Sequence, residues 1–291
     1  MSRSSSAVGL LAVLGLVLSC RPGAPPVSPA EVTAVRAAAL PKDPGDAAWQ
    51  EAPVYAAALV LQDMVEPRLL EPSANKLQVQ AVTDGKGMAF RLQWLDPTKD
   101  DLPGVGRFSD ACAVQLPAQV QAEVPAPQMG EGGNGVEITY WRAFWQSSVD
   151  GREDTIKALY PGAAVDHYPF DAPPLEKGSE AQREAEKRYA PSRALGNPMA
   201  GPRDRPVQDL IAEGPGTIRP AAETKSDGRG VRTADGWAVV LQRPLPNGLT
   251  LGGRSQVAFA VWEGGHEEAG SRKMRSVWVP LALEGGQQAA K

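Results

Sequence analysis

The residue types that most often carry chemistry are scarce in this sequence. The 291 residues include two cysteines, Cys20 and Cys112, and two histidines, His167 and His266, which follow turn residues and are expected at the surface. Two cysteines are too few for a disulfide scaffold or a tetrathiolate metal site. The sequence also lacks the Gly-x-Ser-x-Gly, phosphate-loop, His-Glu-x-x-His and Cys-x-x-Cys-His motifs. The commonest hydrolytic, nucleotide-binding, zinc-protease and covalent cofactor-attachment chemistries are therefore excluded.

Cys20 lies in a context that predicts lipidation. Arg3 precedes an apolar stretch at residues 7–18, and the serine and cysteine that follow resemble the lipobox of bacterial lipoproteins. This stretch is too short to span a bilayer as a helix, which takes about 20 residues. We therefore expect residues 1–20 to be a lipoprotein signal peptide, with Cys20 as the lipidated residue. The alternative is an ordinary signal peptide with a chance cysteine.

The segment after Cys20 is rich in proline. Residues 21–40 begin Arg-Pro-Gly-Ala-Pro-Pro, which predicts a tether between a lipid anchor and a folded domain. Arg21 stands where an aspartate retention signal would be, and by resemblance to other lipoproteins this indicates the periplasmic side or the cell surface, at the outer membrane of a Gram-negative bacterium. Cys112, with alanine on both sides, is typical of a buried and inert thiol. Without lipidation, a Cys20–Cys112 disulfide would be possible.

Charge and composition narrow the class of protein. The sequence has 30 lysines and arginines against 34 aspartates and glutamates, which gives a formal net charge of −4. A mildly acidic chain lacks the basic surface that nucleic-acid binding requires. The 30 glycines and 27 prolines exceed the average for globular proteins but do not reach low-complexity levels. The composition predicts a turn-rich globular domain.

Two-residue periodicity predicts most of the secondary structure. Met88, Phe90, Leu92 and Trp94 fall on one side of a half-buried strand. A similar run at 77–81 precedes it across an Asp-Gly turn, which predicts a hairpin. Further strands are predicted at 55–62, 111–116, 136–145, 237–243, 255–263 and 276–283. Eight short strands and few helices predict an all-β fold, an antiparallel two-sheet β-sandwich.

A long segment interrupts this pattern. Residues 146–235 show no regular alternation, and the charged stretch at 176–189 lacks an apolar stripe, which predicts a short solvated helix within a loop excursion. We therefore expect one folded domain at 41–285 that carries the excursion, with a tail at 286–291. The excursion could cover a ligand, bind a partner or be disordered.

Six segments in a fixed order resemble one protein family. They are WLDPT (94–98), DACAVQLP (110–117), MG followed by VEITYWRA (129–143), DGWAVVLQRPL (235–245), VAFAVWEG (257–264) and SRKMRSVW (271–278). In order and character they resemble the ethylbenzene dehydrogenase-type haem-binding domain, the gamma subunit of periplasmic molybdenum enzymes of the dimethyl sulfoxide reductase family. The resemblance covers about residues 45–285. It implies a sandwich similar to carbohydrate-binding modules that holds one haem b non-covalently.

The resemblance places the two axial ligands of the haem iron on Met129 and Lys273. A thioether favours ferrous iron and suits an electron carrier, and burial lowers the pKa of a lysine, which must lose its proton to bind iron. Alternation in the last predicted strand places Lys273 on the apolar side with Val277 and Val279. The alternatives are a loop methionine that covers apolar surface and a lysine in a solvated turn before a strand that begins at Ser276.

These features predict a haem b electron-transfer lipoprotein without catalytic residues, or a gamma-type subunit associated with a molybdenum oxidoreductase. The implied partners are a c-type cytochrome or molybdoenzyme and iron–sulfur subunits, and the membrane through the lipid anchor. Most of the seven tryptophans lie at or near predicted strands and are expected in the core, where a haem slot between the sheets would need large apolar walls. The alternatives are a carbohydrate- or ligand-binding β-sandwich lipoprotein without haem and a structural lipoprotein without a ligand.

Overall fold

The computed structural model describes residues 29–285, except 103, 154–155, 165–174, 177, 196, 198–199 and 201–202. Cys20 and the signal peptide, the first part of the tether, His167 and the tail at 286–291 lie outside the described residues. None of the helices in the described part of the chain is long and apolar enough to cross a membrane.

Strands dominate the described residues. They are β1 (Val32–Arg36), β2 (Tyr55–Ala58), β3 (Val60–Leu61), β4 (Lys76–Thr83), β5 (Gly87–Leu95), β6 (Ala111–Pro117), β7 (Val136–Arg142), β8 (Val207–Ala212), β9 (Arg219–Pro220), β10 (Asp227–Arg232), β11 (Gly236–Pro244), β12 (Arg254–Trp262), β13 (Met274–Arg275) and β14 (Val279–Leu283). The α-helices are α1 (Ala143–Val149), α2 (Ile156–Leu159), α3 (Glu180–Tyr189) and α4 (Pro191–Ala194), and 3-10 helices lie at Ala47–Gln50 and Gly264–His266.

The strands form two faces of a sandwich that are joined through β12. The first sheet has the order β10-β11-β5-β4-β1-β14-β12, with β2 also paired to β4. The second has the order β3-β13-β12-β6-β7-β8-β9. The first half of β12, residues 254–257, pairs with β14, and its second half, residues 258–262, pairs with β6. One strand therefore crosses from one layer to the other.

The predicted hairpin is confirmed in β4 and β5. The two strands pair antiparallel, and the Asp84 carboxylate accepts hydrogen bonds from the backbone N–H groups of Lys86 and Gly87, both at 2.8 Å. Gly85 adopts a φ of 88°, which a glycine tolerates at no steric cost. The apolar side of β5 is buried as its alternation predicts.

The main core lies between the two layers. Phe90 of β5 contacts Phe259 of β12 edge to face at 6.2 Å between ring centroids, and Trp141 of β7 contacts Trp237 of β11 at 5.1 Å. Cys112 belongs to the same core and is fully buried, which confirms the predicted burial of this thiol. Six of the tryptophans are buried, and the seventh is half-buried: Trp49, Trp94, Trp141, Trp145, Trp237, Trp262 and Trp278.

The sandwich is confirmed, but it is not purely antiparallel. Strand β1 inserts between β4 and β14 and runs parallel to both. It lies within residues 21–40, which were predicted as tether, so Val32–Arg36 is part of the folded domain instead. The segment carries no alternation long enough to distinguish five extended residues from a linker.

Three further expectations differ from the structure. The excursion at 146–235 contains the expected solvated helix as α3, but it also contains other helices and the strands β8, β9 and β10. These strands were not predicted because they are short and show no clear alternation. The predicted last strand at 276–283 is two strands, β13 and β14, separated by an irregular stretch in which Val277 is 60% exposed. The predicted strand at 136–145 ends at Arg142, where α1 begins.

Candidate functional site

An apolar cavity of about 340 Å³ lies on the outer face of the second sheet. Residues of β6 and β12 alternate there, so that Cys112 and Val261 face the core between the sheets while Ala113 and Ala260 face the cavity. A haem slot was expected between the two sheets, but this cavity lies on the outer face of one of them. This volume falls within the range of small-molecule sites, about 300–1,000 Å³.

Small side chains make the floor of the cavity flat. Ala113 of β6 pairs in register with Ala260 of β12 on one side and Tyr140 of β7 on the other. Ala258 lies two residues from Ala260 on the same face of β12 and also lines the cavity. Outward-facing sheet positions are usually polar, so a patch of alanines indicates close approach of another apolar surface.

Met129 lines this cavity from a loop with a constrained backbone. Its φ is 68°, in the left-handed region that residues other than glycine rarely adopt, and Gly130 follows with a φ of 78°. Such a conformation costs about 1 kcal/mol or more for a residue with a Cβ. A Cβ on Gly130 would approach the Asn134 carbonyl oxygen to 2.7 Å, so this glycine cannot be replaced without movement. The turn thus fixes Met129 at the cavity at a cost in backbone strain.

Hydrogen bonds hold the Met129 loop in place. Gln115 of β6 donates from Nε2 to the Pro127 carbonyl at 3.1 Å, and the Trp278 indole donates to the Pro125 carbonyl at 2.6 Å. The Met129 carbonyl itself accepts from the backbone N–H of Gly214 at 2.8 Å. The loop is therefore attached to both neighbouring segments of the chain, and Met129 is half-buried against the outer face of the sheet.

Lys273 lines the same cavity from a segment that is distant in the sequence from Met129. It precedes β13, in which Met274 turns into the main core and Arg275 lines the cavity. The predicted alternation with Val277 was wrong, because the strand breaks after Arg275. The bend at Lys273 nevertheless directs its side chain to the apolar cavity.

Burial changes the acidity of Lys273. Its Nζ lies 5.1 Å from the centre of the Trp262 ring. Removal from water, with a smaller contribution from the Arg275 cation, lowers the pKa of Lys273 from 10.5 to about 8. A lysine with this pKa gives up its proton far more readily than a solvated one, which is what a metal ligand requires.

Gln62 connects the segments around Lys273. Its Nε2 donates to the carbonyls of Val65 (2.8 Å) and Ser271 (3.1 Å), and its backbone N–H donates to the Lys273 carbonyl at 3.0 Å. Gln62 is 4% exposed. Nothing in the sequence marked this residue or Arg275, because alternation over 55–62 would place Gln62 on the same side as the exposed Ala58 and Val60.

Aromatic rings form one wall of the cavity. Tyr140 contacts Trp262 edge to face at 5.1 Å between ring centroids, and it also contacts Trp145 of α1 edge to face at 5.6 Å. Burial raises the pKa of Tyr140 to about 12, so its phenol stays neutral. The rings continue from the cavity to the half-buried Phe144, 5.9 Å from Trp145.

A second group of buried titratable side chains does not line the cavity. Asp110 accepts hydrogen bonds from the backbone N–H groups of Asp100 (2.8 Å) and Gly264 (2.9 Å) and from the Trp237 indole (2.9 Å). Burial, reinforced by the nearby Asp96, raises the pKa of Asp110 to about 7. These contacts join β6 to β11 and to the end of β12. Within the described ranges, no cluster of three or more His, Cys, Asp or Glu could hold a metal ion.

His266 is the one histidine within the described residues, and it is exposed, as predicted. Its Nε2 lies 3.7 Å from the Glu263 carboxylate, outside the cavity. The residues that line the cavity therefore offer a thioether, an amine and a guanidinium as their distinctive groups. All three belong to segments that the strands of the second sheet bring together.

The family model described as ethylbenzene dehydrogenase matches residues 46–274. The chain belongs to the ethylbenzene dehydrogenase family. The matched range includes Met129 and Lys273 and nearly all of the strands, and it confirms the resemblance seen in the six sequence segments.

Three curated proteins are similar to this member of the ethylbenzene dehydrogenase family. A protein named as a respiratory nitrate reductase heme subunit from Haloferax mediterranei is 25% identical over 90% of this chain and 76% of its own length. The chlorate reductase subunit gamma of Ideonella dechloratans is 26% identical over 82% and 78%. The dimethylsulfide dehydrogenase subunit gamma of Rhodovulum sulfidophilum is 26% identical over 48% and 51%. A family 9 carbohydrate-binding module from Caldicellulosiruptor kristjanssonii, solved with cellotriose, aligns over 89% of this chain and 96% of its own at 8% identity and a TM-score of 0.41.

Proposed function

We propose that this protein is an electron-transfer protein that binds haem b non-covalently, with Met129 and Lys273 as the axial ligands of the iron, and that it serves as a gamma-type subunit or partner of a molybdenum oxidoreductase. The observation that carries this proposal is that Met129 and Lys273, which are far apart in the sequence, line the same apolar cavity. The named haem and gamma subunits among the relatives support the same function.

The cavity fits a flat apolar group with a metal at its centre. The alanine floor leaves room for a planar ring, and the lining is mostly apolar. Thioether sulfur and neutral amine nitrogen are suitable donors to iron. Haem, when bound, supplies reversible one-electron chemistry.

The side chains of this chain would control that chemistry in three ways. Occupation of both axial positions by Met129 and Lys273 would leave no site on the iron for substrate, so the protein would carry electrons without catalysing turnover. The thioether would favour the ferrous state and raise the reduction potential. The apolar floor would exclude water from the iron.

Non-covalent binding is supported by the position of Cys112. This cysteine, the one within the described residues, faces the core between the sheets, whereas its neighbour Ala113 lines the cavity. Its thiol therefore points away from a ligand in the cavity. The sequence also has no Cys-x-x-Cys-His motif, which covalent haem attachment uses.

The test is the absorption spectrum of the protein purified from haem-replete cells. We expect a Soret band that sharpens on reduction with dithionite, and a pyridine haemochrome spectrum of haem b rather than haem c. Met129→Ala and Lys273→Ala should each convert the reduced haem from six-coordinate low spin to five-coordinate or mixed spin. The matched control is Met64→Ala, since Met64 is 65% exposed and does not line the cavity.

The outcomes separate the proposals. A colourless protein that also fails to bind added haem would overturn the haem function and favour the ligand-binding sandwich. Haem binding with unchanged spectra in both ligand variants would remove Met129 and Lys273 from the iron but leave the haem. Haem that survives acid–acetone extraction would contradict non-covalent binding.

The partner is proposed to be a molybdoenzyme with iron–sulfur subunits, or a c-type cytochrome. The relatives named as reductase and dehydrogenase subunits support this class of partner. We expect the natively expressed protein to purify in a complex that contains molybdenum. Its haem should change redox state when the substrate of that complex is added.

The location is proposed to be the periplasmic side of the outer membrane or the cell surface, through lipidated Cys20. The apolar stretch at 7–18 and the proline-rich sequence after Cys20 support this assignment. Metabolic labelling with a radioactive fatty acid should mark the wild-type protein but not Cys20→Ser. Equal labelling of both would contradict the anchor, and recovery in the inner membrane would contradict the outer-membrane assignment.

A further inference from the structure

Arg275 is a half-buried cation that lines the same cavity, and its one ion pair among the described residues is long. Its side chain is 15% exposed, and its nearest carboxylate oxygen in an ion pair is Oδ1 of Asp63 at 3.9 Å. Asp63 itself is 66% exposed. The Nε of Arg275 is buried and has no hydrogen-bond partner among the described residues.

A half-buried guanidinium with so few partners lowers the stability of the fold. A guanidinium that leaves water needs hydrogen-bond acceptors, and an unsatisfied buried donor destabilises the fold by about 1–3 kcal/mol, or more when charged. Lys273 lies two residues away on the same cavity, so two cations share an apolar surface. None of the described residues that line the cavity is an aspartate or a glutamate that could balance these two charges.

Strand pairing fixes Arg275 at the edge of the cavity floor. It pairs in register with Ala260 of β12 on one side and with Val60 of β3 on the other. Because Ala260 belongs to the alanine floor, Arg275 is the neighbour of that floor on the adjacent strand. Among the residues that line the cavity, Arg275 and Lys273 are the cationic ones.

We propose that Arg275 is the carboxylate-binding group of the cavity and that it pairs with a propionate of haem. This inference rests on the proposed haem function. If the neutral Lys273 amine binds iron, Arg275 is the cation left to receive a negative charge. A guanidinium presents several N–H donors to one carboxylate in a fixed geometry, which a long contact to the exposed Asp63 does not satisfy.

The test compares haem with its dimethyl ester, which keeps the ring and the iron but lacks both carboxylates. The haem-free protein is titrated with each, and binding is followed by quenching of tryptophan fluorescence, since Trp262 lines the cavity. We expect the wild type to bind haem about 10- to 100-fold more tightly than the ester. Arg275→Gln should lose this preference, and Arg275→Lys should retain part of it.

Arg272→Gln is the matched control, because it removes the same charge from the adjacent segment at a residue that does not line the cavity. It should preserve the preference for haem. Binding of the ester by Arg275→Gln also shows that the variant is folded.

The outcomes distinguish this inference from the proposed function. Equal affinity of the wild type for haem and its ester, with both bound, would overturn the role of Arg275 while the haem function stands. A preference that persists in Arg275→Gln would also overturn it. A wild type that binds neither compound would overturn both proposals. If Arg275→Gln fails to fold, the wild-type comparison and Arg275→Lys decide the question.

Discussion

Replacement of Lys273 by methionine is expected to make the haem-free protein more stable, although it removes a proposed ligand. The pKa of Lys273 is lowered from 10.5 to about 8 in the folded state. A folded-state pKa below the unfolded value means that folding disfavours the charged form of the side chain. At neutral pH the charged Lys273 therefore lowers the free energy of unfolding of the wild type. Methionine has a similar length but no charge, so it does not cause this loss.

The magnitude follows from the two pKa values. At 1.36 kcal/mol for each tenfold change in proton affinity, the difference between 10.5 and about 8 corresponds to about 3 kcal/mol below pH 8. The contact of Nζ with the Trp262 ring returns about 1 kcal/mol to the wild type. We therefore expect Lys273→Met to raise the free energy of unfolding by about 2 kcal/mol at pH 7.

The dependence on pH identifies the cause. Above pH 8 the folded wild type loses its proton, and at pH 10.5 half of the unfolded chains have lost theirs as well, so the advantage of Lys273→Met should fall to about 0.4 kcal/mol. Urea unfolding of the haem-free proteins at pH 7, 9 and 10.5 measures it. The control is Lys76→Met at an exposed position of β4, which should change stability by less than about 0.5 kcal/mol. A less stable Lys273→Met, or an advantage that is constant with pH, would refute the reasoning.

Three further predictions concern other parts of the molecule. Gly230→Ala should destabilise the fold by about 1–3 kcal/mol in urea unfolding, because its Cβ would lie 2.1 Å from the Trp141 ring, whereas Gly132→Ala, with open space around it, should have little effect. Burial raises the pKa of Asp110 from 3.8 to about 7, so the free energy of unfolding should fall as pH rises from 4 to 7. Asp110→Asn should flatten this decline, and a steeper decline in the variant would contradict the assignment. Ala260→Leu should fill space at the floor of the cavity and weaken haem binding at least tenfold in a spectral titration, while its circular dichroism spectrum stays unchanged. The control variant Ala58→Leu, at an exposed position, should bind haem as tightly as the wild type does.

Periodicity predicted the parts of the fold in which each strand is long enough to show a pattern. The β4–β5 hairpin and strands β6, β11 and β12 follow from alternation and turn residues. Strand β1 could not be predicted in this way, because five residues after a proline-rich segment acquire their structure from pairing with β4 and β14. Tertiary pairing, rather than local preference, determines such a strand.

The candidate site was predicted from a family resemblance rather than from periodicity. The resemblance indicated Met129 and Lys273, and the structure brings both to one cavity. The argument from alternation for Lys273 was wrong, because a strand break after Arg275 changes which side chains share a face. Sequence reasoning also missed Arg275, since a basic residue near the end of a chain usually belongs to the solvated surface.

Several features that cost stability converge on one surface of the folded protein. The alanine floor leaves apolar surface uncovered on the outside of a sheet, Met129 has a strained backbone, and Lys273 and Arg275 are cations removed from water. Each of these destabilises the folded state by itself, and together they are difficult to explain as structural features of a domain without a ligand. A flat apolar ligand with a metal centre and carboxylates would cover the floor, take the lone pairs of the sulfur and the amine, and neutralise the guanidinium. Because it would bind the folded state alone, such a ligand would return this free energy as stability, and the haem-loaded protein should therefore be more stable than the haem-free protein.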